Sequence, residues 1–83
     1  MKNKELIAIN IEEARDELTG ILSDLKRDSD YSEIELKIAL EHAYHHINYA
    51  WNIRNINKDR IDLIQFITLL TSLVFRDVNN VKI

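Results

Sequence analysis

The chain contains no proline and a single glycine, Gly20. Tight β turns draw heavily on those two residues, because they supply the fixed or positive φ angles that a sharp reversal needs. A chain so poor in both suits a few long helices joined by short polar loops. The spacing of apolar residues agrees. In the first segment Ile7, Ile11, Ala14, Leu18, Ile21 and Leu25 recur at alternating steps of four and three, which places them on one helix face. Glu12, Asp16, Thr19 and Ser23 fall opposite. Gly20 lies off this seam and costs about 1 kcal/mol against alanine if the helix runs through it. Asn10 projects beside the seam, so it needs a hydrogen-bond partner.

The break falls at RDSDYSE, residues 27–33. Ser32 followed by Glu35 makes a capping box, in which the hydroxyl accepts a free helix N–H. The second helix then carries Leu36, Leu40, Ala43, Ile47 and Ala50 at the same alternating steps. Set antiparallel to the first helix, the two seams match in order, from Leu25 with Leu36 to Ile7 with Arg54. The small residues Ala14, Ala43 and Ala50 permit close approach. After the loop NINKD a third helix is expected, with Leu63, Ile64, Phe66, Ile67, Leu70, Leu73, Val74 and Val78 on one broad face. Short loops make neighbouring helices antiparallel. The prediction is an all-α, three-helix up-down-up bundle forming one domain over residues 1–83, with helices near 4–27, 32–55 and 58–78.

A domain of 83 residues buries only roughly 60–65% of the surface its unfolded chain exposes. Small domains often need a disulfide, a metal or a second subunit. Cysteine is absent, so disulfides and thiolate metal sites are excluded. The net charge is −3 and no segment forms a basic stripe, which argues against a nucleic-acid partner. No apolar run approaches the ~20 residues that span a bilayer, and no signal-like stretch follows the first lysines. A soluble cytoplasmic protein without a membrane partner is the expectation.

The second helix has more apolar surface than one seam requires. Ile34, Ile38, His42, His45, Tyr49 and Ile53 lie on its far side, and the clearly polar wedge of Lys37, Glu41 and Asn48 is narrow. This stripe predicts an interface: a homodimer with the second helix near the two-fold axis, or docking of another protein there. Two-fold homodimers are the commonest oligomers, and aromatic residues are enriched at interfaces. If His42 and His45 face such an axis, acid charges both copies and loosens the pair.

The segment EHAYHHINYAWNIRN, residues 41–55, also raises a second class of reading, a metal-binding or small-ligand helical bundle. His42, His45 and His46 stand three and four residues apart, a spacing that can put two imidazoles on one metal, and Glu41 adds a carboxylate. The motifs are incomplete. A zincin requires glutamate directly after the first histidine, where this chain has Ala43. Di-iron bundles use Glu-x-x-His, and no glutamate stands three residues before any of the histidines. No metal or other cofactor is therefore assigned. A ligand pocket built from Trp51, Arg54 and Asn10 is the other small-molecule candidate. The plainer roles are a Trp51 that closes the end of the core against Ile11 and an Arg54 bonded to Glu5 or to a carbonyl of its own helix. Glu12, Glu13, Asp16 and Glu17 read as a solvated charged face.

No glycine-rich phosphate loop, nucleophile elbow or cysteine nucleophile occurs, so no catalytic residue is assigned. The sequence thus reads as a small non-enzymatic helical protein that works by self-association and protein binding.

Overall fold

The structure is a computed structural model that describes residues 1–62. The third helix predicted over 58–78 lies, past Asp62, outside the described residues. Helix α1 spans Lys4–Arg27 and helix α2 spans Glu33–Asn52. A 3-10 turn, Lys58–Arg60, follows. The described residues contain no strand, so the all-α class is as the spacing predicts.

Both helix starts are set locally. Ser32 is extended, and its hydroxyl oxygen accepts the Glu35 N–H at 3.2 Å. Asn3 precedes α1 with φ 58°, in the left-handed region. Asparagine tolerates that conformation better than most residues. Its side chain does not cap its own helix but reaches across the chain. Nδ2 donates to the Ile53 carbonyl at 2.7 Å and to the Ile56 carbonyl at 2.8 Å. The Lys2 N–H also donates to the Arg54 carbonyl. These bonds clasp the start of α1 to the end of α2. The opposite end is closed by the loop, where Asp28 accepts the Asp30 N–H at 2.9 Å.

α2 stops about three residues before the predicted end at 55. Ile53 still bonds the Tyr49 carbonyl at 3.1 Å, but the Arg54 N–H already turns to the Trp51 carbonyl. The Arg54 guanidinium donates to that same carbonyl at 2.7 Å, so a helix-end carbonyl is satisfied by a cation.

α1 and α2 pack antiparallel as a hairpin. Ala14, Ala43 and Ala50 are all buried at the contact, as their small size predicts. Ile21, Tyr49 and Ile53 complete the buried apolar set, with Ile53 fully enclosed. The seam on α1 differs from the predicted one. Ile7, Ala14 and Ile21 are shared, but Ile11, Leu18 and Leu25 are exposed. Asn10 is buried and Glu17 half-buried in their place. The helix is rotated so that its 3-4 seam runs Ile7, Asn10, Ala14, Glu17, Ile21. This rotation brings polar groups together across the helices, Asn10 with His46 and Glu17 with His42. The alignment also shifts: Lys2 and Asn3, not Ile7, lie opposite Arg54 and Ile53, about one helical turn away from the predicted pairing.

At about 100° per residue, this rotation sorts the hairpin into two sides. Glu17 and His42 meet on one. On the other lie Ile11, Leu18, Leu22 and Leu25 of α1, alongside Ile47 and Trp51 of α2, all exposed. Trp51 is 63% exposed and so does not close the core against Ile11. It is covered on one face by Arg54, whose guanidinium carbon sits 3.6 Å from the ring centroid.

Gly20 lies inside α1, exposed, and a Cβ there meets nothing within 4 Å. Gly20→Ala should raise unfolding stability by about 0.5–1 kcal/mol, read from urea titration. Asn3→Ala should lower it by about 2–3 kcal/mol, from two lost hydrogen bonds and from alanine's poorer tolerance of the left-handed region. Asn3→Gly should cost about 1 kcal/mol less than Asn3→Ala, because glycine accepts that φ without penalty. Equal losses for the two variants would assign the whole effect to the hydrogen bonds.

Candidate functional site

The histidine stretch occupies the middle of α2, and the structure gives each imidazole a different task. Asn10 is buried, and its Nδ2 donates to the Leu6 carbonyl at 2.9 Å. Its Oδ1 is therefore free to accept, and His46 Nδ1 lies 2.9 Å away. That arrangement assigns the Nδ1 proton to His46 when its ring is neutral. His42 is exposed, with Nδ1 at 3.2 Å from Glu17 Oε2. An exposed ion pair of this kind is worth up to ~1 kcal/mol when the ring is charged.

His45 has no such partner. Its Nδ1 is buried without a hydrogen bond, while its ring lies nearly parallel to Tyr49 at a centroid separation of 6.4 Å. Desolvation lowers its pKa below the ordinary imidazole value, and the neighbouring His46 and His42 lower it further. Burial raises the Tyr49 pKa, with the Asp62 carboxylate adding to the shift. Both groups are thus held neutral around physiological pH.

The rings cluster, with His42 to His46 centroids at 5.2 Å and His45 to His46 at 5.6 Å. Their donor atoms do not converge. Nδ1 of His42 meets Glu17, Nδ1 of His46 meets Asn10, and Nδ1 of His45 is enclosed. Glu41 turns to Lys37 at 3.4 Å. Among the described residues no group of three His, Asp or Glu side chains is placed to hold a metal ion. The geometry offers Glu41, His42, His45 and His46 as separate contacts, not as one ligand set.

The candidate ligand pocket is likewise divided. Trp51 and Arg54 stack together, and Arg54 bonds a carbonyl of its own helix, one of its two predicted roles. Asn10 is engaged with Leu6 and His46, buried within the seam. An open groove of about 620 Å³ does exist at the clasped end, lined by Lys4, Leu6, Ile9, Lys58, Ile61 and Asp62 among others. Glu5, expected from the sequence as a partner for Arg54, lines it, but none of the predicted interface, metal or pocket residues does.

No protein-family model matches the chain, and no curated protein or solved structure matches it either. The site must therefore be read from its own geometry.

Of the six predicted interface residues, Ile34, Ile38 and His42 are exposed, the two isoleucines at 68% and 63%. His45 is half-buried. Tyr49 and Ile53 are buried within the chain itself, so they belong to the core and do not offer a contact surface. The helical wheel placed them on the far side of α2 because it assumed a seam centred on Ala43 and Ile47. The actual contact is turned toward His46 and Ile53. Glu17 was hidden from sequence reasoning among three acidic neighbours, Glu12, Glu13 and Asp16. Its signal was its three-residue step from Ala14 and four-residue step to Ile21. Leu22 belonged to neither predicted seam, though its spacing from Leu18 and Leu25 marks a stripe.

A histidine kept neutral by folding ties stability to pH. The unfolded chain takes up the His45 proton more readily than the folded one, so stability is present above pH ~6.5 and falls as pH drops toward the lower folded value. The melting temperature should decline between pH 7.5 and 5.5. His45→Leu, which removes the unpaired buried nitrogen, should flatten that decline without lowering stability at pH 7.5. An unchanged pH slope in the variant would show that His45 is not the group responsible.

Proposed function

We propose that this protein acts by association and not by catalysis: it pairs with a second copy of itself and presents helical surface to protein partners. The observation that carries this reading is the amount of large apolar side chain left on the outside of both helices. Leu22, Leu25, Ile34, Ile38 and Trp51 are each more than half exposed. Soluble proteins rarely leave apolar patches this extensive without a partner. Within this proposal the chain is a cytoplasmic up-down-up bundle, with residues 58–78 supplying the third helix. Ile34, Ile38 and His42 on α2 are the part of the predicted interface that remains accessible. None of the helices among the described residues is long and apolar enough to cross a membrane, so that surface is not explained by a bilayer span.

The composition of the described part supports a contact role. Each strongly polar inter-helix contact is used internally, Asn10 with His46 and Glu17 with His42. Among the described residues no converging set of acid, base and nucleophile accompanies them. Sedimentation or light scattering from low to high micromolar concentration should give a mass of twice 9.8 kDa. A constant single-chain mass over that range would overturn the proposal.

A further inference from the structure

The self-association reading leaves open which face the second copy covers, and the hairpin offers two. One is the outer edge of α2 at Ile34 and Ile38. The other is the broad side formed jointly by Ile11, Leu18, Leu22 and Leu25 of α1 with Ile47 and Trp51 of α2. We infer that the second copy docks on this joint face, so that two hairpins stack as layers into a four-helix core. This rests on the self-association reading and assigns its contact surface.

Three observations favour this face and this occupant. The first is size. The six side chains are each about half exposed, between 41% for Leu18 and 63% for Trp51. At on the order of 100 Å² apiece they present roughly 600 Å², close to the ~800 Å² that each partner contributes to a standard interface. Two exposed isoleucines at the α2 edge offer far less. A two-helix layer with one apolar side buries it by meeting a second layer, and four helices packed this way form a common bundle.

The second is where the chain leaves. Ile61 and Asp62 line the groove with Leu6 and Ile9, and the Asp62 charge acts on Tyr49. On the helical wheel Leu6, Ile9 and Tyr49 all fall on the other side of the α1–α2 seam from Leu22 and Ile47. The described chain therefore reaches Asp62 on the side away from the joint face.

The third is charge. The six side chains are uncharged; the cations beside them are Arg15, exposed within the α1 stripe and 3.5 Å from Asp16, and Arg54 stacked on Trp51. With a two-fold axis parallel to the helices, each α1 runs along the other copy's α2. The pairing of Glu17 with His42, extended along both helices, then brings Lys26 of one copy level with Glu33 of the other. Both residues are exposed, one basic at the end of α1 and one acidic at the start of α2. Rim charges of opposite sign favour that orientation.

Trp51 is the sole tryptophan, so the full chain carries its own reporter. On dilution through the dimer–monomer transition, measured by sedimentation, Trp51 emission should shift to the red in step with the mass. Leu22→Glu should raise the dissociation constant roughly a hundredfold, since it places a carboxylate in a desolvated centre. Ile47→Glu should do the same from the other helix, and far-ultraviolet circular dichroism should show helicity retained in each. Ile34→Glu and Ile38→Glu should leave the mass unchanged. A wild-type chain that stays monomeric would overturn self-association as a whole, and with it this inference. So would a monomer with Trp51 already shielded, which would assign the face to the chain's own last residues. A dimer that survives Leu22→Glu and Ile47→Glu but dissociates with Ile34→Glu or Ile38→Glu would overturn the joint face alone. If Leu22→Glu unfolds, the wild-type emission shift decides: a dimer whose Trp51 emission does not change with mass places the contact elsewhere.

Discussion

A buried amide must find partners, and in this hairpin that requirement orients α1. Asn10 is enclosed, so both ends of its side chain have to be satisfied. It meets the need by donating to Leu6 in its own helix and accepting from His46 in the next. Leaving either group unmade would cost about 1–3 kcal/mol, so a seam that encloses Asn10 has to supply both bonds. The observed seam is the one in which the polar pair forms. Glu17 and His42 follow on the same side, and Ile11, Leu18 and Leu25 are turned outward as a result.

The same rotation explains what was legible in the sequence and what was not. α1 ends where the apolar period and the RDSDYSE break place it, and the Ser32 cap forms as the Ser-x-x-Glu spacing implies. These features depend only on residues a few positions apart. The close alanine contact was also readable, because Ala14, Ala43 and Ala50 are the small residues on any antiparallel pairing. Rotation about the helix axis was not readable from period alone. Steps of four and three fit two adjacent stripes on α1 equally well, and hydrophobicity favoured the one with more leucine and isoleucine. The deciding information lay in pairs 25 and 36 positions apart, Glu17 with His42 and Asn10 with His46.

The candidate site was legible in the same partial way. That His42, His45 and His46 would gather on one helix follows from their spacing. That they would diverge in chemistry does not, since it depends on what each nitrogen meets on α1. Trp51 is instructive too. Its size suggested a core role, but a position one step off the contact leaves it beneath Arg54, facing water. Among the predicted interface residues the wheel separated Ile34 and Ile38 correctly from the polar wedge. It could not tell that Tyr49 and Ile53 are buried in the core.

Alanines bring two rods close, but they make a smooth track. A contact lined by Ala14, Ala43 and Ala50 has few large knobs to stop one rod sliding past the other by a turn. The Asn3 clasp supplies that stop. With a five-residue connection at one end and two amide bonds plus the Lys2 backbone bond at the other, the pair is a closed loop of fixed perimeter. Lengthwise slippage must tear the fastened end before it can begin. The protein's longitudinal alignment is thus guarded by a single small residue at the very start of the chain, far from the histidines whose neighbours it keeps in place.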